Sequence, residues 1–352
     1  KRYHLGTYKH HCIPDYPRTI REFGTTDSYS TNGPELEHRK PKGRYVRTSH
    51  KKFVKQMTAI ERREARVRRI RQYVYKGQSQ DAESLAFNPE LHHQMGKTEN
   101  QWIDMGEFLR RNTGDPAIKD FDAKLKQHLL PRVLAILKQQ GDTDAESLPS
   151  PDSCRADEVI ILGRHNRFFE HRILRVNYTS YDVRRDQDMI NAYSSHCNIM
   201  VLCRSCDDIN VIDNHLSYRY GRVIGAYHVN VIYNGPGRVN LNSHRLEFLW
   251  IRWYNQIGRE GDDWNSRRLS RLHFGPLQDE SAFGFIDPSD VLRGCHIIPR
   301  FSLNKVHTDP THGGWSRLAG DRSDWKEYYI NRFVDRDMLM RYHFGYAVGH
   351  VY

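Results

Sequence analysis

Residues 220–233 read YGRVIGAYHVNVIY and residues 247–254 read EFLWIRWY. Val, Ile, Tyr and Trp dominate both runs, and these are the residue types that pack best on a pleated surface. The second run alternates Phe248, Trp250 and Tyr254 with Leu249, Ile251 and Trp253. A strand apolar on both faces is either buried twice or leaves one aromatic face open to a ligand, and burial is the commoner outcome. Runs of the same character stand at ILRVNYTSYDV (173–183), NIMVLC (198–203) and CHIIPRF (295–301), separated by Gly, Asn, Asp and Pro clusters. The expected fold is α+β, with a helical basic N-terminal part followed by a small antiparallel β-barrel.

Working outward from the strands, the acidic, Ser- and Pro-containing stretch QQGDTDAESLPSPDSCRAD (139–157) reads as a linker. Before it, ENQWIDMGEFLRR (99–111) and AIKDFDAKLKQHLLPRVLAILK (117–138) carry helical patterns, and Pro131 is expected to kink or divide the second. Residues 77–97 read as a loop. Phe53, Met57, Ile60, Val67, Ile70 and Val74 recur at spacings of three, four and seven, which puts them on one face of a helix beginning near Lys51, with Thr48 and Ser49 as caps. Residues 1–47 show no sustained period. The expected organisation is an irregular segment (1–47), a helical region (48–138), the linker (139–157), a barrel-like domain (158–310) and a C-terminal tail with helix or strand (311–352).

Charge is the second strong signal. Between Arg39 and Lys76 stand fifteen Lys and Arg residues against only Glu61 and Glu64. That block sums to +13 while the whole chain of 352 residues carries +11, so the remainder is close to −2. A local positive block of this kind is the usual footprint of a polyanion, with DNA or RNA the leading class. Candidate phosphate contacts are Arg39, Lys40, Lys42, Arg44 and Arg47 on an extended arm, then Lys51, Lys52 and Lys55. Arg62, Arg63, Arg66, Arg68, Arg69 and Arg71 follow on the helix. Runs of this sort grip phosphates without reading base sequence.

Other motifs are weaker. Cys203 and Cys206 form a C-x-x-C with His196 and Cys197 upstream, a spacing that permits zinc. A strand-like run separates the pairs and no second C-x-x-C follows, which favours coincidence. His4, His10, His11 and Cys12 are another possible ligand cluster, but adjacent residues such as His10, His11 and Cys12 rarely all face one ion. Glu35 and Glu37 are a carboxylate pair of the type that holds Mg²⁺, although an exposed charged turn explains them as well. Nucleotide-binding, esterase, zincin and dehydrogenase motifs are absent from the sequence. No run of about 18 apolar residues occurs, so no membrane helix is expected. Six cysteines in 352 residues are too few for a disulfide framework, which favours a reducing compartment, nuclear or cytosolic. An opening at Lys1 is read as a piece of a longer protein.

Several long phrases resemble one family. They are TYKHHCIPDYPRTIREFGTTDSYSTNGPELEHR (7–39), FVKQMTAIERREARVRRIRQ (53–72), HRILRVNYTSYDVRRDQDMIN (171–191), FGFIDPSDVLRGCHIIP (283–299) and YYINRFVDRDMLMRYHFGYAVGH (328–350). Together they resemble the C-terminal region of transposon-derived proteins of mushroom-forming fungi, similar to CACTA-like and Kyakuja–Dileera–Zisupton-like transposases. The resemblance implies a nuclear DNA-binding protein and an upstream RNase H-like core that holds Mg²⁺. Glu37, or else Glu35, would be the last acid of that core, and this chain alone would not catalyse strand transfer. Residues 218–301 also resemble a bromo-adjacent homology domain. That implies an alternative role as a chromatin or peptide reader, with Tyr218, Tyr220 and Trp250 as an aromatic groove.

Overall fold

The computed structural model describes residues 16–23, 41–78, 92–140, 150–179, 185–202, 218–237, 240–258, 268–309 and 313–344. Contacts divide the chain into two compact units, with the division falling after residue 88. Helices α1 (Tyr16–Phe23) and α2 (Phe53–Gln78) belong to the first. The second unit opens with strands β1 (His93–Met95) and β2 (Trp102–Asp104), then helices α3 (Met105–Arg111) and α4 (Phe121–Gln140). Strands β3 (Ile160–Leu162), β4 (Arg167–His171), β5 (Leu174–Thr179), β6 (Arg185–Ile190) and β7 (Asn198–Leu202) come next. Two long strands follow, β8 (Tyr218–Tyr233) and β9 (Ser243–Ile257). The chain then forms β10 (Arg271–Phe274), β11 (Phe283–Ile286), β12 (Val291–Gly294), β13 (Ile297–Pro299), β14 (Tyr328–Ile330) and helix α5 (Arg336–Phe344).

β8 and β9 are 16 and 15 residues long, close to 50 Å of extended chain. They pair antiparallel from Gly221↔Trp253 to Ile232↔Ser243, with one irregularity between Val223 and Gly225. Every other strand of the main sheet is short and joins one of their outer edges or extends from there. β7, β4 and β3 share the outer edge of β8, while β10 and β11 share that of β9. The resulting 11-stranded sheet runs β12-β7-β8-β9-β10-β14-β13, with β11, β2, β3 and β4 off that path, and it does not close. A separate sheet, β1-β5-β6, has three strands.

The doubly apolar pattern of β9 now has a cause, because each face of the ribbon is covered by a different layer. Phe248 and Trp250 face α4, whose Phe121, Leu125, Leu129, Val133 and Leu137 fall on one side of the helix. Phe121 meets the Trp250 ring edge-on at 5.0 Å. Leu249, Ile251 and Trp253 face the opposite way, onto Leu174, Val176 and Ile190 of the small sheet. A third cluster gathers Tyr218, Tyr220 and Tyr254 with Leu272, Tyr328, Ile330 and Met338. Gly225 is obligatory at the irregular step, since a Cβ there would lie 2.4 Å from the Tyr227 ring.

Two buried charge clusters bolt the periphery to this ribbon. Arg222 and Arg252 stand directly opposite each other across β8 and β9, where like charges repel. Asp324 accepts from both, at 2.8 and 2.5 Å, and the Phe274 ring lies under both guanidinium groups. On β12, buried Arg293 binds Asp188 of β6 and Asp335 and Asp337 at the start of α5, and lies 3.7 Å over the Tyr178 ring of β5. Burial raises the Asp188 carboxyl above its ordinary range against the opposing pull of Arg293.

The structure corrects the expected architecture. The second unit is mostly antiparallel sheet, open rather than closed, and not a small barrel preceded by a helical part. Strands of 15 and 16 residues are too long for a tightly bent barrel, and several short strands along each edge widen the sheet instead of curling it. Residues 102–104, expected to be helical, pair as β2 with Phe168 and Phe169, and Asp104 then caps α3 through the Glu107 amide at 2.8 Å. Residues 93–95, expected within a loop, form β1 on β5. Helix α4 runs through Pro131 undivided. Pro131 and Gln127 one turn earlier are both exposed, so the carbonyl deprived of a donor faces water. Among the described residues no helix is long and apolar enough to cross a membrane.

Truncating Trp250 to Ala should cost about 3–5 kcal/mol in chemical denaturation, the range for a large buried aromatic. Asp324→Asn should cost about 2–4 kcal/mol, because it leaves buried Arg252 and half-buried Arg222 facing each other without the carboxylate they share. An Asp324→Asn protein that unfolds at the wild-type midpoint would remove the role assigned to this carboxylate.

Candidate nucleic-acid interface

Helix α2 has 26 residues, about 39 Å of rod, and no acid in its first turn. It begins at Phe53, two residues later than the sequence pattern suggests. Thr48 and Ser49 hold the preceding turn rather than cap the helix. The Ser49 amide donates to Gln56 Oε1 at 2.9 Å, and Gln56 Nε2 donates to Ser49 Oγ and to the Lys51 carbonyl, each at 2.7 Å. The Thr48 hydroxyl donates to the Tyr45 carbonyl at 2.7 Å. His50 and Lys52 take positive φ, at 60° and 51°, which lets the chain reverse sharply there.

Residues 41–46 are helical, and the arm they belong to returns along α2. Arg44 is half-buried between Glu61 and Glu64, with Nε 3.0 Å from Glu64 Oε2 and Nη1 3.6 Å from Glu61 Oε1. Arg47 adds a 2.7 Å bond to Glu64 Oε1. The Tyr45 ring packs edge-on against Phe53 at 5.3 Å. Met57 and Ile60 are half-buried, while Phe53 and Val67 are exposed. The described part of the expected apolar stripe is therefore covered in part only, and the side chains of Ile70 and Val74 lie outside those described.

At about 100° per residue, Lys55, Arg62 and Arg66 share one side of α2, and Glu64 lies on the opposite side. The two acids of the basic block are thus turned inward to fasten the arm, while the cations across from them face out. Lys42, Lys51, Lys52, Lys55, Arg62, Arg63 and Arg66 are all exposed. Arg68, Arg69 and Arg71 lie on the α2 backbone beyond the side chains described. Arg39 and Lys40 fall outside the described residues, as do Glu35, Glu37, Cys203, Cys206, His4, His10, His11 and Cys12.

The aromatic groove is not assembled. Trp250 is 1 % exposed in the core against α4, whereas Tyr218 and Tyr220 are buried in the third cluster with Tyr342 and Tyr254. No ring of the three faces solvent, because the long ribbon is covered on both sides. His196 and Cys197 are described, and no cluster of three metal-ligating side chains exists among the described residues.

What sequence reasoning missed here is the role of Glu61 and Glu64. Their spacing of three, next to Ile60 and opposite Arg62, was the available signal. Burial alone would raise the Glu64 carboxyl, but hydrogen bonds and charge from Arg44 and Arg47 outweigh it and hold the group below its ordinary value of 4.5. Its contribution is fully present above about pH 4.5 and is lost as pH falls through the lower folded value. The pair is partly solvated, so the gain is a few tenths to about 1 kcal/mol. Glu64→Gln at pH 7 should therefore mimic the acid form, with faster amide exchange at Arg47 and Thr48 by NMR and an unchanged second unit. Comparison of the chain with protein-family models, with curated proteins and with solved structures finds no match.

Proposed function

We propose that this chain binds nucleic acid, DNA in the first place, by laying the basic face of α2 along a phosphate backbone. The observation that carries the reading is the sorting of charge on one helix. Glu61 and Glu64 are consumed by Arg44 and Arg47, while Lys55, Arg62, Arg63 and Arg66 of α2 stand exposed, with Lys42, Lys51 and Lys52 exposed on the segment before it. Surface helices normally mix signs on their outer face, and this one does not. Arg62 and Arg66 are one turn apart, about 6 Å along the axis, and Lys55 stands about 10 Å before Arg62, a span that suits successive phosphates.

The likeness of residues 7–39 and 53–72 to transposon-derived proteins supports the same partner class and a nuclear site of action. Phosphate contacts fix orientation without base readout, so binding should tolerate sequence. No exposed aromatic surface at Tyr218, Tyr220 or Trp250 supports a peptide reader.

The test is a salt titration of duplex affinity, followed by fluorescence anisotropy. For duplex DNA the logarithm of affinity should fall with log salt at about 0.9 per phosphate engaged, against about 0.7 for single strands. An Arg62→Ala, Arg66→Ala double variant should lower the slope by roughly two on duplex DNA, equally for unrelated sequences. Affinity that does not change with ionic strength ends the proposal.

A further inference from the structure

Away from the basic helix, four elements converge on a buried histidine pair. His228 lies on β8, and His171 on the neighbouring β4 brings its Nε2 to 2.6 Å from His228 Nδ1. The two imidazoles lie edge to edge and nearly parallel, with centroids 4.9 Å apart, and the Phe169 ring stacks on His228 at 4.6 Å. His228 is fully buried, and its Nε2 has no hydrogen-bond partner among the described residues. From β9, Glu247 and Arg245 face the pair, and from β1, His93 bonds Glu247 Oε2 at 3.0 Å. Behind β9, Arg132 of α4 donates to the Glu247 carbonyl at 2.7 Å.

Residues 96–101 cross this group as an exposed loop. Arg245 Nη2 donates to the Gly96 carbonyl at 2.7 Å, Asn230 Nδ2 donates to Glu99 at 3.1 Å, and the Gln101 carbonyl accepts from the Glu170 amide at 2.8 Å. Gly96 presses so closely on His171 that a Cβ would sit 2.9 Å from its Nδ1. Beside the loop lies an open cleft of about 460 Å³ lined by Glu99, Gly163, Asn230, Ile232, Ser243 and Arg245.

We propose that residues 96–101 form an acid-released strap, closed while His171 and His228 are neutral and lifted from the cleft when the pair takes up a proton. Among the described residues Glu247 is the carboxylate that faces the pair, and it is already shared by His93 and Arg245, so a cation there meets Arg245 without an acid of its own. His228 sits on a central strand and cannot leave. His171, at the end of β4 beneath Gly96, reaches water only by displacing the strap.

Titration of the groups agrees in sign. Burial, and then Arg245, depresses His171, and the same causes with His171 itself depress His228 to about 3, each against a smaller opposing pull from Glu247. An opened state with histidines near 6.5 binds protons that the closed state refuses. The ratio of open to closed therefore rises as pH falls below about 6.5, up to tenfold per pH unit for each histidine protonated.

Hydrogen exchange of the full chain at pH 7.0 and pH 5.0, corrected for intrinsic rates, tests this. Peptides covering 92–101 should lose protection by roughly thirtyfold at pH 5.0 for one histidine protonated, while peptides covering 246–253 keep theirs. His171→Asn, which keeps a donor and cannot titrate, should make the strap insensitive to pH. Gly96→Ala should open it at pH 7.0. Unchanged protection in 92–101, equal loss throughout the second unit, or the same acid response in His171→Asn would each overturn the proposal.

Discussion

The ladder between β8 and β9 is the constraint on which the second unit depends. Two strands of this length with apolar side chains on both faces cannot rest in water. The ribbon must recruit cover on each side, and it obtains unlike layers: α4 against Phe248 and Trp250, and the β1-β5-β6 sheet against Leu249 and Ile251. Its length also dictates the topology. No single neighbour spans 16 residues, so each outer edge is shared among several three- to five-residue strands, and the sheet stays open.

Charge is used differently in the two units. In the second it is buried and structural. Asp324 reconciles two arginines that strand register forces together, and Arg293 ties β6, β12 and α5 into one corner. Such groups contribute less to net stability than to the uniqueness of the arrangement, since any other docking of the C-terminal segment strands a charge. Among the described cations of the first unit only Arg44 is withdrawn from solvent, and the acids that hold it are the ones that would otherwise have neutralised the surface of α2.

The same economy separates the basic face from the histidine pair. α2 presents permanent cations whose interaction with an anion varies with salt and little with pH. His171 and His228 are the reverse, screened from salt by burial and poised on proton concentration.

Much of the local structure was legible in the sequence. The alternation in 247–254 announced a strand with two apolar faces, and the spacing of Phe121, Leu125, Leu129 and Val133 announced α4. The basic block announced an exposed cationic helix. These are properties of period and composition, and neighbours in sequence suffice to express them. Strand β2 escaped because three residues are too few to show a period and their partners, Phe168 and Phe169, lie some sixty-five positions away. The open sheet escaped because closure depends on which short strands share an edge, and nothing within a strand records that. Burial of Tyr218, Tyr220 and Trp250, the fastening of Arg44 by Glu61 and Glu64, and the meeting of His171 with His228 were decided only by tertiary structure. In each case the partner is set by strand register or chain reversal, through contacts that local pattern does not encode.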